Sequence, residues 1–391
     1  MQHWRRFRAD GCLGQDGSHK IVMRLVLLLL LGCSKVSHPA APTASEVVAT
    51  TFDRSHMLEH VARHVMLATY TEFATATRTM PDLATQFCTA LSVGHLTALQ
   101  QAWRQAVAPL KRSEMFRLGP AAGLISAVDF WPSRPPLIQK ALEDPQPVTE
   151  EFIESVGAAA RGVSAIEYLL FDPQGGNNAL IAQFRDGLKG KRRCAYLTGI
   201  IGHLAQQAQS IANAWSPDGG NFVAELATAG QGSATYPTAH KAVSDIVNRL
   251  LAALDKMHKN KLDRPLHGNG KSPWPAGVEA GRSGNSLANI LENLQGVRAV
   301  YAGIDGTTNG PGFDDYLTAL GSPLGERITQ QIQTALAAVQ AIPPPLQVAV
   351  VEHPQAVEAA YQAIKDVLIL LKVDMTNLLG VTVDFSDNDG D

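Results

Sequence analysis

The stretch Cys194-Ala195-Tyr196-Leu197-Thr198-Gly199-Ile200-Ile201-Gly202-His203-Leu204-Ala205-Gln206-Gln207-Ala208-Gln209-Ser210-Ile211-Ala212-Asn213-Ala214-Trp215 decides the fold class. Cys194, Leu197, Ile201, Leu204, Ala208, Ile211 and Trp215 recur at alternating steps of three and four. That rhythm draws one apolar seam along a helix of about six turns and does not fit the alternation of a strand. Ser216-Pro217-Asp218-Gly219-Gly220 then reads as a loop, because proline cannot continue a helix and glycine readily leaves it.

The same spacing recurs on both sides of this stretch. Leu58, Val61, Val65 and Ala68 form one seam, and Leu96, Leu99, Trp103, Val107 and Leu110 another. Further along come Val243, Val247, Leu250, Leu254 and Met257, then Leu287, Ile290, Leu294 and Val297. Leu324, Ile328, Ile332, Leu336 and Val339 follow, and Ala360, Ile364, Val367 and Leu371 close the series. Gly119-Pro120 and the segment Pro132 to Pro136 interrupt the pattern, and 269–284 and 303–312 read as long loops. Only Val348–Val351 looks strand-like. The chain is therefore expected to be all-α, with two helical-bundle domains packed side by side. The small-residue stretch Gly230–Thr238 is the expected boundary, giving domains 46–232 and 233–391.

Composition narrows the function. Apolar residues make up 45% of the 391, enough for substantial cores, while charged residues are 18% and the formal net charge is −3. Such a balance offers no basic face for nucleic acid. At the N-terminus, Arg24 precedes the apolar run Leu25 to Leu31, far short of the roughly 20 residues that span a bilayer. This is the form of a secretion signal, expected over 1–32. Leu30-Leu31-Gly32-Cys33 is similar to a bacterial lipobox, in which Cys33 takes the lipid and becomes the mature N-terminus. The polar, Pro-containing segment 33–45 then serves as a tether. Met1 and Met23 are both possible starts. With Cys12 removed and Cys33 lipidated, Cys88 and Cys194 remain, as a disulfide in an oxidising compartment or as two separate buried thiols. The bridge is the expectation, and closing a loop of that length stabilises by roughly 4–5 kcal/mol.

Four stretches carry a family resemblance. They are Arg161-Gly162-Val163-Ser164-Ala165-Ile166-Glu167-Tyr168-Leu169-Leu170-Phe171, Glu114–Pro120, Arg282-Ser283-Gly284-Asn285-Ser286-Leu287-Ala288-Asn289-Ile290, and the C-terminal Leu379–Asp391. In this order the chain resembles the imelysin family. The resemblance implies an all-α protein exported to the periplasm or outer membrane, linked to iron uptake and sometimes classed with metallopeptidases. It also implies a pocket near the interface of two bundles.

The first stretch matches the family's Gly-x-His-x-x-Glu segment, but the position of the His is occupied by Ser164. A His and a Glu three residues apart share a helix face and could both ligate a metal. Serine is a poor ligand for iron or zinc, and Glu167 alone does not make a site. No His-Glu-x-x-His segment occurs, so a metal-dependent peptidase is the disfavoured alternative. The expected pocket comprises Ser164, Glu167, Arg117, Ser283 and Asn285, with Arg117 as the partner of a buried Glu167. Asp129, Trp131 and Arg134 are weaker candidates for the same cleft. His56, Glu59, His60 and His64 are spaced either for a metal held by one His pair or as a solvated face. The tail Asp384, Asp387, Asp389 and Asp391 has the composition of a calcium loop but lacks its terminal Glu and flanking helix. No catalytic residue or fixed cofactor is assigned. The expected partners are a membrane reached through the lipid, a small ligand or metal complex (iron or zinc being the metals allowed), and a membrane transport protein.

One outcome tests the N-terminal reading. Cys33→Ser should release the protein from membranes into the soluble fraction. Wild-type-like membrane fractionation of that variant would refute the lipid anchor.

Overall fold

The apolar seam from Cys194 to Trp215 lies on a helix that begins earlier than the seam, at Gly187, and runs to Trp215. At 1.5 Å per residue its 29 residues extend about 43 Å. Leu197, Ile201, Leu204, Ala208, Ile211 and Trp215 are all buried, and Cys194 is joined to Cys88. The helix packs on Ala68–Arg78 and Met80–Thr89. The computed structural model describes residues 52–384 except 269, 271, 306 and 307. The signal and tether expected over 1–45, Cys33 included, lie outside the described residues, as do Asp387, Asp389 and Asp391.

Each predicted seam lies on a helix. Leu58, Val61 and Val65 are buried along a continuous helical run, Arg54–His60, the π-helical turn Val61–Leu67 and Ala68–Arg78. The second long helix is Val93–Ser113; its Ser92 N-cap accepts the His95 N–H at 3.2 Å, satisfying an otherwise orphaned donor. Ala239–Met257 is capped likewise by Thr238, continues through the π-turn His258–Asp263, and buries Val243, Val247, Leu250, Leu254 and Met257. Ser286–Ala302, Leu324–Gln340 and Pro354–Ile369 complete the main set. The only strands among the described residues are Ile304–Asp305 and Thr308–Asn309, an antiparallel pair with Ile304 opposite Asn309.

Val348–Val351, expected to be strand-like, is helical instead, within Leu346–Glu352. Leu346, Ala349 and Val350 are buried, whereas Val348 and Val351 are 39% and 57% exposed. The four-residue run is too short to show a period, and its apolar content conceals a one-sided helical burial.

No break in packing marks residue 232. Val93–Ser113 packs both on Ala68–Arg78 and on Ser286–Ala302, so one helix serves the material before and after that point. The described residues fall within a single compact unit. At the crossing, a Cβ on Gly296 would come within 2.2 Å of the Arg112 carbonyl oxygen, so the two backbones can meet only at glycine. Gly119, with φ +53°, makes the turn before the short helix Ala121–Val128, and the Phe222 ring fills the space a side chain would need.

Cys88 and Cys194 are bonded, with Cα atoms 5.7 Å apart, tying Met80–Thr89 to the longest helix. Cys88→Ser with Cys194→Ser should lower the unfolding free energy in urea by about 2–5 kcal/mol. A change below about 0.5 kcal/mol, the scatter of neutral surface substitutions, would show that the bridge constrains nothing.

Candidate functional site

Val93–Ser113 ends in a charged turn. Lys111 is buried in its last turn, Glu114 opens the turn Glu114–Phe116, and Arg117 follows. Asp129 ends the Ala121–Val128 helix and turns back onto the same spot. From the other side come Lys261 of the π-turn, Glu279 of the loop before Ser286, and Asn293, fully buried on Ser286–Ala302.

Lys111 Nζ donates to Glu114 Oε1 at 2.9 Å, Asp129 Oδ1 at 2.7 Å and Glu279 Oε1 at 2.8 Å. An ammonium has three N–H bonds, and all three are used. Lys261 Nζ meets Glu114 Oε2 at 2.7 Å, Asn293 Oδ1 at 2.7 Å and Glu279 Oε2 at 2.9 Å. Arg117 donates to Asp129 Oδ2 at 2.5 Å and lies 3.4 Å from Glu114. Asn293 Nδ2 donates to the Lys111 carbonyl and to Glu114 Oε2, at 2.6 and 2.7 Å. Lys111, Lys261 and Arg117 thus balance Glu114, Asp129 and Glu279 in charge.

Burial opposes every charge here, and the neighbours decide the outcome. Burial would lower the Lys111 pKa, but the Asp129, Glu114 and Glu279 carboxylates hold it well above the usual lysine value. Burial would raise Glu114, yet Lys111, Lys261 and Arg117 keep it well below the carboxylate range. Glu279 is lowered in the same way by Lys111 and Lys261, against its burial. Asp129 moves upward, because burial, reinforced by the Glu114 carboxylate, outweighs its cationic partners.

The network forms part of the wall of a cavity of about 240 Å³. Glu114, Arg117, Asp129, Lys261 and Glu279 line it, together with Trp131. The opposite wall is one side of Ala239–Met257 and the following turn: Arg249, Ala252, Ala253, Lys256, Met257 and Asn260.

The expected pocket residues separate into two places. Of the five, Arg117 alone lines this cavity. It pairs with Asp129 and Glu114 rather than with Glu167, which corrects the expected ion pair. Glu167 is 6% exposed on the helix Val163–Leu170 and accepts the Ser283 N–H and Oγ–H, both at 2.8 Å. Ser283 Oγ also accepts the Asn285 N–H, and Asn285 Nδ2 donates to Asn289. Burial, with the Glu279 carboxylate adding to it, raises the Glu167 pKa against the Ser283 hydrogen bonds and Arg282. Ser164 donates its hydroxyl to the Phe130 carbonyl at 2.9 Å, a structural tie. Trp131 lines the cavity with Asp129; Arg134 is exposed. Of the histidines, His56 and His64 are exposed, while His60 Nε2 donates to the Gly303 carbonyl at 2.8 Å, which commits that nitrogen.

One group of three potential metal-binding acids occurs among the described residues: Glu114, Asp129 and Glu279, with ligand atoms within 4.8 Å of one another. An ion placed between them would have to displace the Lys111 ammonium, which is already bonded to all three. The donor set also contains no His or Cys. These residues therefore do not fit a catalytic zinc or iron.

A family model described as Imelysin aligns over residues 66–371. The chain belongs to the imelysin family. It is 27% identical over 289 residues to iron-regulated protein A of Synechococcus elongatus, covering 72% of this chain and 74% of that relative. Among solved structures, it is similar to a protein described as an iron-regulated protein A precursor from Parabacteroides distasonis. That similarity has a TM-score of 0.72 and 19% identity, covering 84% of this chain and 94% of that one. An imelysin-like protein from Psychrobacter arcticum gives a TM-score of 0.65 at 19% identity, over 88% of this chain and 100% of that one. These structures share the imelysin fold, and the all-α expectation agrees with them. Lys111, Lys261, Glu279 and Asn293 of this imelysin-family chain were not among the sequence candidates.

Lys111→Met should lower stability by about 3–5 kcal/mol, because three buried carboxylates lose a common partner. The depressed Glu114 and Glu279 contribute stability that is fully present above the ordinary carboxylate pKa of about 4.3 and is lost as pH falls through their folded-state values. Raised Asp129 and Glu167 act in the opposite direction, favouring the folded state when protonated. Urea unfolding of wild type should therefore lose stability between pH 5 and pH 3, roughly the window set by these carboxylates, and Glu114→Gln should flatten that loss. An unchanged slope in the variant would remove Glu114 from this account.

Proposed function

We propose that this protein is an exported lipoprotein, anchored through Cys33 to the outer membrane and facing the periplasm, that binds a small ligand for iron acquisition in the cavity lined by Glu114, Asp129 and Glu279. The observation that carries this reading is the cavity itself. It is walled by residues distant in sequence, and its inner charges neutralise one another through a network of buried ion pairs. Buried charges tied together by so many ion pairs hold a wall in one shape, which suits a preformed binding site. The iron connection comes from the relative, iron-regulated protein A.

Hydrolysis is poorly supported by the same geometry. A general acid or base works best with a pKa near the operating pH. Glu114 and Glu279 are held below the carboxylate range, Asp129, though raised by burial, is bonded to Lys111 and Arg117, and no His, Cys or Ser lines the cavity. Ser164 is committed to a backbone carbonyl.

The test uses a strain lacking the protein, grown with scarce iron. Wild type should restore accumulation of labelled iron, whereas Ala252→Trp, which places a large side chain in the cavity wall, should not, although it reaches the membrane in normal amount. Full restoration by Ala252→Trp would refute the assignment of function to this cavity.

A further inference from the structure

The charge of the ligand can be read from the wall, given the binding role just proposed. The inner network is neutral: three cations and three carboxylates, with Lys111 using all three of its N–H bonds and Lys261 bonded to Glu114 and Asn293 and ion-paired with Glu279. The other charged residues lining the cavity are Arg249 and Lys256, and both are cations. They stand seven positions apart on one side of Ala239–Met257, about 10.5 Å along the axis at 1.5 Å per residue. Between them the wall is Ala252 and Ala253, and beyond them Met257 and Asn260, none of which carries charge. Among the described residues, neither cation has a hydrogen bond or ion pair. Arg117 adds a third feature: it lines the cavity, and its Nε–H is buried without a hydrogen-bond partner.

We infer that the cavity binds a small, multiply charged oxyanion, met by Arg249 and Lys256 at the wall of Ala239–Met257 and by Arg117 on the opposite side, and that it does not bind a bare metal cation. A free cation would face two positive side chains. Its only multidentate alternative among the described residues, Glu114 with Asp129 and Glu279, is closed by the Lys111 ammonium. A cavity of about 240 Å³ is smaller than the ~300–1,000 Å³ of drug-sized ligand sites, which suits a compact anion. The shared chemistry is a cluster of carboxylate or phosphate oxygens, free or wrapped around a ferric ion with net negative charge. Iron would then enter as part of an anionic chelate, with the protein contacting the chelator's oxygens.

The experiment measures calorimetric binding to the full chain in detergent, with citrate, inorganic phosphate, ferric citrate, and Zn²⁺ or Fe²⁺ without chelator. At least one of the three anionic probes should bind, and which one distinguishes carboxylate, phosphate and chelate sources. Arg249→Glu and Lys256→Glu should each weaken that binding at least about tenfold, the scale of one charge-assisted hydrogen bond. Lys256→Arg should retain it, and added salt should weaken it in wild type. Both positions are exposed, so unfolding temperatures should stay at the wild-type value. Three results would overturn the inference: anion binding unaffected by both charge reversals, no binding of any anionic probe, or stoichiometric binding of the bare cation abolished by Ala252→Trp. The last would leave the cavity as the binding site and remove only its anion preference, whereas the iron-accumulation assay with Ala252→Trp tests the site independently.

Discussion

Three carboxylates converge on one ammonium, and much of the molecule is arranged around that convergence. A lysine taken out of water alone would surrender its proton or unfold its surroundings, because solvation of the charge is worth many kcal/mol. Lys111 keeps its charge because Glu114, Asp129 and Glu279 replace the lost water one N–H at a time. The carboxylates then need their own second partners. Lys261, Arg117 and Asn293 supply these, which fixes the π-turn after Met257, the turn after Phe116 and the face of Ser286–Ala302 relative to one another. A hydrophobic plug of the same volume could have been as stable. What the ionic version adds is a cavity wall that carries oriented charge without net charge.

The close approach at Gly296 makes this arrangement geometrically possible. With no side chain there, Ser286–Ala302 settles against the Arg112 carbonyl, and Asn293, one turn earlier, reaches the Lys111 carbonyl and Glu114 together. Arg112, on the outer side of the same crossing, is bonded to Glu72 and Glu292. The crossing is thus ionic on two sides and bare backbone at its centre.

The helical class was legible because seven separate seams repeat the same three-four rhythm, and a long periodic signal is hard to mistake. The pocket was less legible, for reasons visible in particular residues. Glu167 was marked as buried by the apolar residues around it, correctly, but its partner was sought among distant cations. The donors that reach it are the hydroxyl and amide of Ser283, ordinary loop groups that no spacing identifies. Arg117 was noticed within a motif, yet which carboxylate it meets depends on how the chain turns at Gly119. Lys261 is marked in the sequence by its register. The seam Val243, Val247, Leu250, Leu254, Met257 steps next onto position 261, so a lysine there interrupts an inward-facing row. Glu279 lies in a loop without period, and only the tertiary fold assigns it. A division at residue 232 was inferred from small residues alone, which mark a flexible connection but cannot reveal that Val93–Ser113 packs against material on both sides of it.

The sequence positions of the buried network carry a consequence for how the chain becomes folded. Lys111, Glu114, Arg117 and Asp129 precede their partners Lys261, Glu279 and Asn293 by more than a hundred residues, so the earlier group must remain hydrated until the later one arrives. Contacts of such separation are entropically slow to form, and half a network of buried charges is worse than none. The early helices therefore gain little by docking in their final arrangement before the chain is nearly complete. Such a polypeptide completes its buried charge network only once the segment from Lys261 to Asn293 is available. The charge cluster that shapes the mature cavity would thereby also delay the moment at which the fold closes.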